Sequence, residues 1–141
     1  MSPDVRRTEI DDDLATGIVS AARTSLGDTL RSVVYFTPSA LEILYLRQGL
    51  YDATADAQPA KAQLVELERV GFAESPIRTA VTNQGAGSEI GPYEFTVRFH
   101  EDGFVVRVLQ GDAGVLLTTD SMDVNAFEDA ATAVRRLLRD A

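Results

Sequence analysis

From Ile77 onward the apolar residues of this chain leave helical spacing and take up a period of two. Tyr93, Phe95, Val97 and Phe99 alternate with Glu94, Thr96 and Arg98, the pattern of a half-exposed antiparallel strand. His100-Glu101-Asp102-Gly103 turns the chain, and Phe104 to Leu109 returns as a strand. A second turn signal spans Gln110 to Gly114, and Val115 to Thr119 is the next strand. Ile77 to Thr82 is expected as a short strand ahead of this meander. Such a sheet exposes an apolar face that helices or a second sheet must cover.

The rest of the chain supplies helices. Leu14, Ile18, Val19, Ala22 and Leu26 form one stripe of a helix over about Asp12 to Leu26, with Asp12 or Asp13 as its cap and Gly27 at its end. Leu30 to Thr37 holds Val33, Val34, Tyr35 and Phe36 and reads as a strand buried on both faces, stopped by Pro38. Thr37 or Ser39 then caps a second helix reaching Leu50, with Pro38 in its first turn and Glu42 completing a capping box. Leu41, Ile43, Leu44, Tyr45, Leu46 and Leu50 cover more than one face of that helix, so it needs a second contact surface. A third helix from Pro59 to Val70, closed by Gly71, is one supplier, and another subunit is the other. Asp123 caps a last helix that turns Phe127, Ala131, Val134 and Leu138 toward the core, with Met122 and Phe127 as a hydrophobic staple.

The expected fold is α+β: a mainly antiparallel sheet of about five strands covered by helices, in the order α-β-α-α-β-β-β-β-α. Residues 1–10 are expected as a flexible lead-in and 11–141 as a single domain. This layout resembles the roadblock, longin and profilin class of small sheet-and-helix domains. It departs from roadblock in placing one strand, not a hairpin, between the first two helices.

Composition narrows the setting. Twelve of the 13 basic residues are arginine, Lys61 stands alone, and they face 22 carboxylates for a net charge of −9. Thirteen of those carboxylates are aspartate. Surplus carboxylate keeps a protein soluble in concentrated salt, where screening removes its self-repulsion. Arginine for lysine substitutes a weakly hydrated planar cation for a flexible stem. Together these point to a salt-accumulating halophile. Without cysteine there is no disulfide framework or thiol nucleophile. No stretch approaches the ~20 apolar residues of a membrane span, and Glu9 and Asp11 to Asp13 stand where a signal peptide needs an apolar core. A cytoplasmic protein is expected.

Each candidate site has a plainer reading beside it. Gly85-Ala86-Gly87-Ser88-Glu89-Ile90-Gly91 is glycine-rich, but Pro92 and a strand follow it where a phosphate loop opens a helix, so it reads as a loop between strands. His100 is the only histidine and lies in a turn, without the orienting partner that acid–base catalysis requires. Asp11 to Asp13 read as charge at a helix start rather than a metal site. Arg135, Arg136 and Arg139 suit the negative end of the last helix, and the other arginines are scattered, which argues against a nucleic-acid surface. No catalytic residue, cofactor or metal is assigned. Tyr35, Tyr45, Arg47 and Tyr51 remain as candidate interface or ligand contacts, being residue types that anchor interfaces.

The segments Leu30–Thr37, Ile43–Arg47 and Tyr93–Val106 resemble a family of small uncharacterised haloarchaeal proteins in which a strand, a tyrosine-leucine-arginine helix and a charged hairpin recur in this order. The resemblance spans Ser25 to Asp120 and carries no activity or site with it. The expectation is a non-enzymatic interaction or regulatory domain, homodimeric through the apolar second helix and a sheet edge. Its partner is itself or another protein. The rival is a small-molecule binder or enzyme with a cleft between the helix pair and the sheet.

Overall fold

The computed structural model describes residues 8–52, 54–82 and 90–141. Its elements are α1 (Asp12–Leu26), β1 (Leu30–Phe36), β2 (Leu41–Leu46), α2 (Thr54–Glu68), α3 (Gly71–Thr82), β3 (Thr96–His100), β4 (Gly103–Gln110), β5 (Ala113–Thr119) and α4 (Val124–Asp140). The five strands form one antiparallel sheet in the order β2-β1-β5-β4-β3. The α+β class and the five antiparallel strands are as expected. Two elements of the expected order are not.

The expected second helix is the strand β2. Thr37 and Ser39 do not cap a helix; Thr37-Pro38-Ser39-Ala40 is the turn of a β1–β2 hairpin. The Thr37 N–H donates to the Ala40 carbonyl and the Ala40 N–H to Thr37 Oγ1. Threonine, proline and serine serve turns and helix starts alike, so the local signal is ambiguous. The apolar surplus has the same resolution: β2 buries residues on both sides of a sheet that has helices on both sides. Its register slips at a bulge, with Val33 opposite Tyr45 but Val34 opposite Ile43, leaving Leu44 as the extra residue. The hairpin also removes the departure from the roadblock layout.

The second correction is that residues 77–82 belong to α3, not to a strand. Ile77, Thr79 and Val81 alternate over too short a run for periodicity to decide. The third helix starts at Thr54 rather than Pro59, and the added turn is anchored by the fully buried Ala57. Pro59 is therefore interior to α2.

Of the expected lead-in, residues 1–7 lie outside the described residues; Thr8 donates to Glu42 (3.0 Å) and Ile10 packs on the core. Helix α1 is capped by Asp11, whose carboxylate accepts from Asp13 N and Leu14 N, so the cap lies one residue before the expected pair. Gly27 ends α1 at φ 56°, as a residue without Cβ can. Asp123 caps α4 through Ala126 N. The β3–β4 turn is Glu101-Asp102, and β4–β5 turns through Gly111 (φ 60°) and Asp112, a glycine-first hairpin.

Helices α1 and α4 cover one face. Ile18, Ala22 and Leu26 meet Phe127, Ala131, Val134 and Leu138 above Val33, Val106, Val108, Val115 and Leu117. Helices α2 and α3 cross the other face over a smaller cluster of Val34, Phe36, Leu41, Val65, Val105, Leu109 and Leu116. Phe36 and Phe72 meet edge to face there at 5.4 Å. This second face is the one that also buries charge.

Candidate functional site

The expected contact residues fall in three places. Tyr35 and Tyr45 are half-buried against the α1/α4 side of the sheet, and the Arg23 guanidinium lies over the Tyr45 ring at 5.3 Å. Burial pushes the Tyr35 hydroxyl pKa upward. Arg47 follows the end of β2, where it and Arg31 both donate to Asp120 beyond β5, and Arg47 also reaches the Asp28 carbonyl (3.0 Å). The Arg47 hydrogen bond, reinforced by Arg31, holds the Asp120 carboxyl below the usual carboxylate range. Tyr51 lies toward α2, with the Lys61 Nζ 5.9 Å from its ring centre. Among the described residues the four line no common pocket.

A buried ion-pair network that no short motif announces occupies the α2/α3 side. Glu68 and Arg107 are each 2 % exposed. The Arg107 guanidinium donates to Glu68 Oε1 (3.0 Å), Glu74 Oε1 (3.4 Å) and Thr96 Oγ1 (3.1 Å). Arg98 Nε donates to the other Glu68 oxygen at 2.6 Å. Gly71 makes room for this arrangement, since a Cβ there would stand 2.5 Å from Arg107 Cζ. The one visible sign was a charge at Arg107 inside the apolar run Phe104–Leu109. A buried charge in such a strand requires a partner.

The network ties the α2–α3 arm to β3 and β4. Arg78 of α3 lies over the Tyr93 ring at 5.7 Å, so the arm passes beside the β3 edge. Leu67 and Ile77 on that arm are 69 % and 66 % exposed, Val70 is exposed between them, and Phe99 of β3 is 73 % exposed. Among the described residues no strand pairs with the outer side of β3.

Nearer the start of α2 a cavity of about 300 Å³ opens between that helix and the sheet, lined by Arg31, Lys61, Leu64, His100, Gly103, Phe104, Val105, Thr118 and Thr119 with Glu101 and Asp102 at the hairpin turn. Lys61 is 5 % exposed, and among the described residues no hydrogen bond or ion pair reaches its ammonium. Burial, with the like charge of Arg31, lowers its pKa to about 8. Behind it the hydroxyls of Ser32 and Thr118 pair with each other.

His100 is exposed at the end of β3, and Arg135, Arg136 and Arg139 lie on α4. Most of the glycine-rich stretch, like Arg6 and Arg7, lies outside the described residues. Among the described residues no three His, Cys, Asp or Glu side chains converge on a possible metal position.

Known structures share this fold. A gliding protein MglB from Thermus thermophilus superposes with a TM-score of 0.52 at 13% identity over 100% of both chains. An MglB with a tetrameric arrangement gives 0.52 and 13% over 99% of this chain and 98% of that one. Myxococcus xanthus MglB gives 0.50 and 7% over 94% and 95%. At these identities the likeness shows the fold alone, and it supports the roadblock-type layout. No curated protein matches the sequence significantly. A model of a domain of unknown function, DUF7522, matches residues 16–139, and the chain belongs to that family.

Proposed function

We propose that this protein is a non-enzymatic interaction or regulatory domain that works as a homodimer, joined through the open edge of β3 and the exposed side of the α2–α3 arm. The observation that carries the reading is the concentration of exposed Leu67, Val70, Ile77 and Phe99 around an unpaired sheet edge. A second copy pairing at that edge would cover apolar residues on both sides of the sheet at once. The like-folded MglB with a tetrameric arrangement fits a fold used in assemblies. This surface replaces the apolar second helix as the contact, because β2 is largely covered by its own chain. Tyr35, Tyr45, Arg47 and Tyr51 are left as secondary contacts for a different protein partner. Residues 11–141 act as one domain, to which Thr8 and Ile10 are attached. The setting is a halophilic archaeal cytoplasm, supported by the arginine-rich, aspartate-rich composition; among the described residues no helix is long and apolar enough to cross a membrane.

Light scattering at molar salt is expected to give twice the chain mass of 15.3 kDa. Phe99→Asp combined with Ile77→Asp is expected to return the mass to that of one chain while retaining the far-UV spectrum. A wild-type protein that stays monomeric across its soluble concentration range ends the dimer reading.

A further inference from the structure

We propose that the cavity beneath α2 binds a small oxyanion, a phosphate or carboxylate group, between the Lys61 ammonium and the Arg31 guanidinium. The first ground is an unmet electrostatic need. A buried ammonium without a carboxylate or carbonyl partner is costly, and folded proteins pair such charges or place them against a ligand. As a residue Lys61 is 95 % buried; its ammonium opens into the cavity, has no acceptor among the described residues, and lies 5.9 Å from the centre of the Tyr51 ring.

The second ground is the choice of residue. The chain uses arginine at twelve of 13 basic positions and lysine only here. An ammonium acts as a compact point charge with three rotatable donors, which suits a small oxyanion in a confined space. Arg31 supplies the broader cation at the rim, oriented by the Asp102 carbonyl (3.4 Å) and Asp120 (3.2 Å). The third ground lies in the wall. Thr118 lines the cavity, and with the buried Ser32 hydroxyl donating to it the Thr118 hydrogen is left to donate to an incoming acceptor. Carboxylates of Glu101 and Asp102 stand on the exposed turn at the mouth, where water screens them. A cavity of about 300 Å³ takes an oxyanion with a small organic substituent.

Because Lys61 is the only lysine, growth on isotope-labelled lysine leaves one side-chain signal that reports directly on this site. The full chain is titrated with potassium phosphate and, separately, potassium acetate, replacing potassium chloride at constant potassium concentration. The expected result is a saturable shift of the Lys61 Cε–Hε signal and a more alkaline titration midpoint in the bound state. Phosphate acting alone identifies a phosphoryl ligand, and acetate acting as well identifies a carboxylate-tolerant site. Phosphate binding followed by calorimetry should weaken at least about tenfold in Lys61→Met and less in Arg31→Gln. Lack of any saturable shift up to tens of millimolar in either anion overturns the proposal. It is equally overturned if the signal moves only with protein concentration, which would place a second copy's acidic side chain in the cavity. Should Lys61→Met fail to fold, the wild-type signal decides by itself.

Discussion

An ammonium stripped of most of its water releases its proton early, and Lys61 is the residue where this matters. Its folded pKa of about 8 lies below the unfolded lysine value of ~10.4, so the folded state disfavours the charged form. Below pH 8 both states are protonated and the burial penalty is constant. Between the two values the unfolded chain holds more protons, so stability rises with pH across that window, by on the order of 3 kcal/mol in total. Urea unfolding of the wild type from pH 7 to 9.5, with Lys61→Met as reference, is expected to show the gap between the two proteins narrowing as pH rises, with the variant the more stable at pH 7. A gap independent of pH would mean that the ammonium keeps its water. The lone lysine was visible in the sequence, but its burial was not. Lys61 lies between Ala60 and Ala62 on a helix whose other residues are of mixed polarity, so nothing local distinguishes an inward lysine from an outward one.

At the scale of elements, the arm formed by α2 and α3 is held to the sheet by charge as much as by packing. Glu68 lies at the end of α2 and Arg107 in the middle of β4, both buried, with Gly71 allowing the close approach between them. Removing Arg107 leaves buried Glu68 with only the partly exposed Arg98, and removing Glu68 leaves buried Arg107 with Glu74 and Thr96, so each loss costs roughly 3 kcal/mol, the lower end for a broken buried pair. Arg107→Met and Glu68→Met are each expected to lower the unfolding free energy by that order. The double substitution Arg107→Met with Glu68→Met should recover most of the loss, as read from denaturant midpoints in one double-mutant cycle. Additive losses would show that the two residues act independently. The β1–β2 hairpin displays the limit of local reading at this scale. Thr37-Pro38-Ser39 is compatible with a cap or a turn, and Ile43-Leu44-Tyr45-Leu46 is apolar on every side. An apolar run of that length suits a helix between two layers or a strand between two layers, and only the presence of β1 beside it selects the strand.

For the whole molecule, the net charge of −9 on 141 residues makes stability depend on screening. The thermal midpoint is expected to rise by several degrees between about 0.1 M and about 3 M KCl, where the screening length falls to a few ångströms. Equal midpoints at the two concentrations would remove the halophilic reading. Chain pattern alone determined α1, α4, the β3–β4–β5 meander and the α+β class, because an amphipathic stripe or a tight-turn signal acts over a few residues and is written in them. Tertiary structure decided the rest: the strand identity of β2, the course of the α2–α3 arm, the Glu68–Arg107 pair and the enclosure of Lys61. In each of these the deciding energy is the burial or pairing of a residue against a partner far along the chain, so the same local sequence is consistent with more than one outcome until that partner is in place.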